Sequence, residues 1–60
     1  MKNIKGYSLE ELEQELIALG EKPYRAEQIF IWLYQEKVKS FEEMTNLSLA
    51  LREKLEQNYT

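Results

Sequence analysis

Lys22 and Arg25 flank Pro23 and Tyr24 in the stretch Leu19-Gly20-Glu21-Lys22-Pro23-Tyr24-Arg25-Ala26, a set of residue types suited to holding a phosphate. A helix opening at Pro23 presents unpaired N–H donors and a partial positive charge, with two cationic side chains beside them and a tyrosine able to stack or to donate a hydrogen bond. A plainer reading stands next to this one: Gly20 and Pro23 as helix punctuation, Arg25 paired with a nearby glutamate, and Tyr24 covering the edge of a core. Lys37 and Lys39 extend the basic surface into a modest strip with Lys22 and Arg25, since the stretch from Lys22 to Lys39 sets four bases against Glu27 and Glu36.

Trp32 and Tyr34 are candidates for stacking on unpaired bases, a use in which each aromatic contributes about 1 to 3 kcal/mol. An aromatic run inside a helix more often belongs to a core or a domain contact. Ile31, together with Gln28 and Gln35, falls opposite the apolar stripe of its helix, so it is expected at the surface, where it favours docking or self-association. Ile31, Trp32 and Tyr34 are therefore the docking candidates.

Other chemistries are excluded by composition. The chain has no cysteine and no histidine, so it offers no disulfide framework, no thiolate zinc site, no ligand set for an iron–sulfur cluster and no Cys/His or Ser-His-Asp nucleophile. The eleven acidic residues lie among Lys and Gln on faces that read as solvated, without the desolvated pair that general acid–base work requires. These 60 residues are expected to bind no cofactor or metal and to catalyse nothing. The net charge of −3 argues against an autonomous, tight nucleic-acid binder, so any RNA contact must be local. No apolar run approaches the roughly 20 residues of a membrane span, and no apolar segment follows Lys2 and Lys5, which implies a cytoplasmic chain.

The elements that must position these residues are helical. Ser8 with Glu11 three residues later matches a capping box, and Leu9, Leu12, Leu16 and Leu19 continue as one stripe of helical period up to Gly20, a left-handed terminator. Pro23 suits the first position of a second helix, whose core stripe is Ala26, Ile29, Phe30 and Leu33. Ser40 and Glu43 repeat the capping box ahead of a short turn through Phe41 and Met44, and Asn46 or Ser48 can cap a last helix carrying Leu47, Leu51 and Leu55. The segment from Met1 to Tyr7 either hangs loose or packs through Ile4 and Tyr7. The fold class is all-α: a small four-helix module, its third helix about one turn long, with the helix–hairpin–helix outline of modules that grip nucleic-acid backbones. A chain of this size builds one minimal core, so residues 1–60 form one domain.

Two runs carry a family resemblance: GEKPYRAEQIFIWLY from Gly20 to Tyr34 and FEEMTNLSLALREKL from Phe41 to Leu55. They resemble the N-terminal region of the RlmN-type radical-SAM RNA methyltransferases, which methylate position 2 of adenine in 23S ribosomal RNA and in transfer RNA. The resemblance implies an accessory domain that holds RNA, joined in cis to a catalytic barrel that binds a [4Fe-4S] cluster through a CxxxCxxC motif and uses S-adenosylmethionine. It implies Lys22, Tyr24 and Arg25 as the contact residues. Ile31 and Leu49 depart from the family pattern, being apolar where relatives usually carry a polar or charged residue, often Lys at the second position. The change at Leu49 removes one phosphate contact from the expected footprint. A protein–protein or interdomain docking module is the alternative reading, with weak self-association through the second helix.

Overall fold

The computed structural model describes residues 2–60, folded as three ten-residue helices, α1 (Leu9–Ala18), α2 (Arg25–Tyr34) and α3 (Leu49–Asn58), with single 3-10 turns at Ile4–Gly6 and Phe41–Glu43. The expected third helix is thus the second of those turns. α1 starts where its cap dictates: the Ser8 hydroxyl accepts from the Glu11 N–H at 3.2 Å and the Glu11 carboxylate accepts from the Ser8 N–H at 2.8 Å, satisfying two otherwise orphaned donors. It ends at Gly20, whose φ of +80° lets the Gly20 N–H donate to the Ile17 carbonyl at 3.0 Å and the Glu21 N–H to the Leu16 carbonyl at 2.8 Å. That pair of bonds is a Schellman closure, open to glycine because it lacks the Cβ penalty.

Pro23 does not begin α2 directly. The Arg25 N–H donates to the Lys22 carbonyl at 3.1 Å and the Ala26 N–H to the Pro23 carbonyl at 3.0 Å, so a tight turn comes first and the helix opens two residues later than the proline pattern suggests. At its other end the Gln35 and Glu36 N–H groups both donate to the Ile31 carbonyl, at 2.9 and 3.0 Å, and Lys37 then adopts a φ of +55° that carries the Val38 N–H back to the Trp32 carbonyl at 3.2 Å. α3 is capped by Ser48, not Asn46, through a 3.1 Å bond from the Leu51 N–H to the Ser48 hydroxyl.

The core is built where the stripes meet. Leu12 and Leu16 of α1, Ala26, Ile29 and Leu33 of α2, and Leu51 and Leu55 of α3 are buried, joined by Met44 and Leu47 from the loop before α3. Phe30 is half-buried at the margin. With so few large side chains in the core, removing one, as in Leu16→Ala, costs about 2–5 kcal/mol.

Ile4 and Tyr59 complete the core from the two ends of the chain. The N-terminal segment packs instead of hanging loose: Ile4 is buried, and Tyr7 stands edge-on to Tyr59 with ring centroids 6.0 Å apart. The Thr60 N–H donates to the Lys2 carbonyl at 2.9 Å in a parallel bridge between Lys2 and Tyr59. The Tyr59 hydroxyl donates to the Glu15 carboxylate at 2.7 Å, and the Lys2 ammonium meets the same oxygen at 3.3 Å. The tyrosine bond and, secondarily, the lysine charge hold the Glu15 carboxyl below its ordinary value against the opposing effect of burial. Burial first, and then the Glu15 carboxylate, push the Tyr59 phenol well above its usual value of 10.

Candidate nucleic-acid interface

The turn between α1 and α2 is held from below. The Lys54 ammonium of α3 donates to the Leu19 carbonyl at 3.2 Å and to the Glu21 carboxylate at 2.6 Å. This pairing compensates the negative end of α1 and occupies Glu21, the acid adjacent to Lys22 in the chain. Arg25 turns to a neutral partner, donating to the Gln28 side-chain oxygen at 2.8 Å, with its guanidinium carbon 4.8 Å from the centre of the Tyr24 ring. Tyr24 is 56% exposed. Lys22 is exposed, and among the described residues neither it nor Arg25 forms an ion pair, the pairs being Lys2–Glu15 and Lys54–Glu21. The plainer reading of the hairpin therefore fails at two points, because Arg25 pairs with no glutamate and Tyr24 does not cover the core. One expectation changes as well. The Arg25 and Ala26 N–H groups are consumed within the turn and Pro23 has none, so side-chain charge, more than backbone donors, is what this helix end offers an anion.

Lys37 and Lys39 are not continuous with this knob. α2 is ten residues long, about 15 Å at 1.5 Å per residue, and it stands between Lys22 and Arg25 at one end and Lys37 and Lys39 at the other, in a molecule only 23 × 22 × 22 Å across. The expected strip is two separate basic sites. At the far end, Lys37 and Lys39 share a cleft with Lys5. Lys5 escapes a reading of local spacing because it reaches this cleft only through the packing of Ile4.

The aromatic candidates are also sorted by their bonds. The Trp32 indole N–H donates to the Asn46 side-chain oxygen at 2.7 Å, tying α2 to the loop before α3. The Tyr34 hydroxyl donates to the Lys5 carbonyl at 2.9 Å while its ring lies 4.6 Å from that of Phe30. Both hold the fold together. Ile31 is 41% exposed, as its place opposite the stripe predicts. Leu49, at the start of α3, is 63% exposed.

Residues 2–60 match the family described as the ribosomal RNA large subunit methyltransferase N-terminal domain. The chain belongs to that family. A probable dual-specificity RNA methyltransferase RlmN of Bacillus velezensis is 58% identical over 57 residues, covering 95% of this chain and 16% of the relative. The corresponding Spiroplasma citri protein is 52% identical over 60 residues, covering the whole chain and 17% of the relative. A crystal structure of a radical SAM methyltransferase from Sphaerobacter thermophilus superposes with a TM-score of 0.94 at 36% identity, over 98% of this chain and 17% of that one. The family domain thus spans about a sixth of the length of these relatives.

The donor set of the family domain does not fit an iron–sulfur cluster. It has neither cysteine nor histidine, and no three carboxylates among the described residues converge on a metal position, so no cluster chemistry is assigned to these residues. No helix among the described residues is long and apolar enough to cross a membrane.

Proposed function

We propose that this family domain positions folded RNA for a radical-SAM methyltransferase centre carried elsewhere in the enzyme. That centre would use S-adenosylmethionine and a [4Fe-4S] cluster to methylate adenine at position 2 in 23S ribosomal RNA and transfer RNA in the cytoplasm. Residues 1–60 act as one accessory domain joined in cis to that centre. The observation that carries this reading is the Lys22–Tyr24–Arg25 knob, two cations without carboxylate partners around an exposed aromatic ring. The net negative charge of the chain confines the RNA contact to that knob and to the lysines beyond α2. Phosphate contacts of this kind fix register and orientation and carry no base sequence, which suits a domain serving two different RNAs.

The test is a titration against folded transfer RNA at several salt concentrations. Changing Lys22 and Arg25 together to Ala should weaken binding and reduce the log–log salt slope by about 1.4 to 1.8, two contacts at roughly 0.7–0.9 each. Superimposable curves for parent and variant would remove the knob from the interface.

Exposed Ile31 and Leu49 favour a second role, docking on the catalytic domain or on another copy of the chain. Sedimentation across a concentration series separates these two partners. Self-docking predicts a concentration-dependent mass that Ile31→Lys abolishes; a monomer throughout excludes it.

A further inference from the structure

The cleft beyond α2 has a volume of about 470 Å³, within the roughly 300–1,000 Å³ range of small-ligand sites. Lys5, Lys37 and Lys39 line it, with Val38 and Phe41 among its apolar residues. None of the three lysines forms an ion pair among the described residues. Their convergence needs two separate chain segments: the 3-10 turn at Ile4–Gly6, which carries Lys5, and the stretch between α2 and Phe41, which carries Lys37 and Lys39.

Groups of opposite sign also neighbour these lysines along the chain. At the C-terminal end of α2 the Ile31 carbonyl accepts two N–H bonds and the Trp32 carbonyl accepts from the Val38 N–H. The Glu43 carboxylate is anchored on the Lys39 and Ser40 N–H groups at 2.9 and 3.1 Å, while Glu36 and Glu42 are exposed to solvent. Thr60 also lines the cleft.

Lys37 stands in the left-handed turn that closes α2. Its φ of +55° lies where glycine is at ease and a side chain costs free energy, so what a lysine adds there is its ammonium group. Residues held in such backbone conformations cluster at binding sites.

We propose that this cleft is a nucleotide site: Lys5, Lys37 and Lys39 hold the phosphate of an unpaired RNA nucleotide whose base lies over Val38 and Phe41. The proposal rests on the RNA-facing reading of the domain and gives it a second contact, one helix length from the knob. A lining that combines three lysines with apolar side chains matches a base attached to its phosphate better than a bare anion.

Amide chemical shifts of the 60-residue chain, titrated with AMP, inorganic phosphate, adenosine and pentaadenylate, provide the test. Because Thr60 lines the cleft, the titrations are repeated with the C-terminus of the 60-residue chain amidated, which removes its charge. AMP should move the amides of residues 4–5 and 37–41 and bind more tightly than phosphate or adenosine. The combined Lys5→Gln, Lys37→Asn and Lys39→Gln variant, with an amide spectrum otherwise like the parent, should lose about tenfold or more in affinity, and its salt slope with pentaadenylate should fall by about 0.7, the one phosphate that the three lysines share. Unchanged affinity in that variant overturns the proposal, as does phosphate binding as tightly as AMP. AMP binding as tightly as pentaadenylate overturns the RNA assignment in favour of a free nucleotide. The Lys22→Ala, Arg25→Ala variant separates the two sites: it should leave the AMP titration intact, so failure at the knob and failure at the cleft read out differently.

Discussion

Two groups in this domain are made from similar parts, a tyrosine and a cation or two, and stand in opposite settings. At the chain ends, Tyr59 is buried and shares the Glu15 carboxylate with Lys2. At the α1–α2 turn, Tyr24 is exposed under Arg25, and Lys22 and Arg25 form no ion pair among the described residues. The difference lies in where the pairing ends. A structural tyrosine cluster closes its hydrogen bonds and charges within the chain, because an unpaired polar group left in the interior costs free energy. A surface cluster whose cations lack internal counter-ions keeps that capacity for a partner.

The largest effect that could break this comparison is on folding. Tyr59→Ala opens a cavity and removes the Glu15 bond, a loss of about 3–5 kcal/mol in a domain too small to have much stability in reserve. The melting transition should be lost. Tyr24→Ala, at an exposed position, should shift stability by no more than about 0.5 kcal/mol and weaken only RNA binding. Equal losses in thermal melts of the two variants would erase the distinction.

Protonation sharpens the same contrast. Glu15 titrates below its ordinary value of 4.5 in the folded chain, so its contribution is present above that value and fades as pH falls through the lowered one. Tyr59 ionises above its ordinary value of 10, so its contribution is intact below pH 10 and is lost as the unfolded phenol ionises at higher pH. Denaturant unfolding from acid to alkaline pH should show both limbs, and Tyr59→Phe should flatten the alkaline limb and soften the acid one. A Phe variant with the parent's profile would show that the Tyr59–Glu15 bond contributes nothing.

Much of the fold is legible from short-range pattern. Ser8 with Glu11, Gly20 after the leucine stripe, and the spacing of Ile29 and Leu33 each act over a turn or two of helix, and each does what its pattern implies. Pro23 misleads by two residues because a tight turn precedes α2, a difference decided by two backbone bonds. What stayed hidden depends on residues far apart in sequence: Lys54 on Leu19 and Glu21, Tyr59 on Glu15, and Lys5 beside Lys37. Counting charges along the chain put Lys37 and Lys39 in one strip with Lys22, whereas the length of α2 separates them.

Lys37 bears on the intermediate case, a side chain that ends a helix and lines a cleft. Lys37→Gly relieves the left-handed strain and should stabilise the fold by about 1 kcal/mol, less glycine's entropic cost in the unfolded chain. Stability measured by denaturant should rise while AMP binding weakens. A loss of both would mean that the ammonium supports the fold instead of a ligand.

The smallest effect concerns Leu49, and two opposing contributions decide its sign. As the first residue of α3, 63% exposed, it can become Lys with little change in helix propensity or burial. A cation beside the positive end of a helix is unfavourable by about 0.3–1 kcal/mol, so Leu49→Lys should lower stability slightly. If the start of α3 faces the same RNA as the knob, the variant should nonetheless bind folded transfer RNA with a log–log salt slope steeper by about 0.7–0.9, one added phosphate contact. A destabilised variant with the parent's slope would place α3 outside the footprint and confine the RNA contact to the two ends of α2.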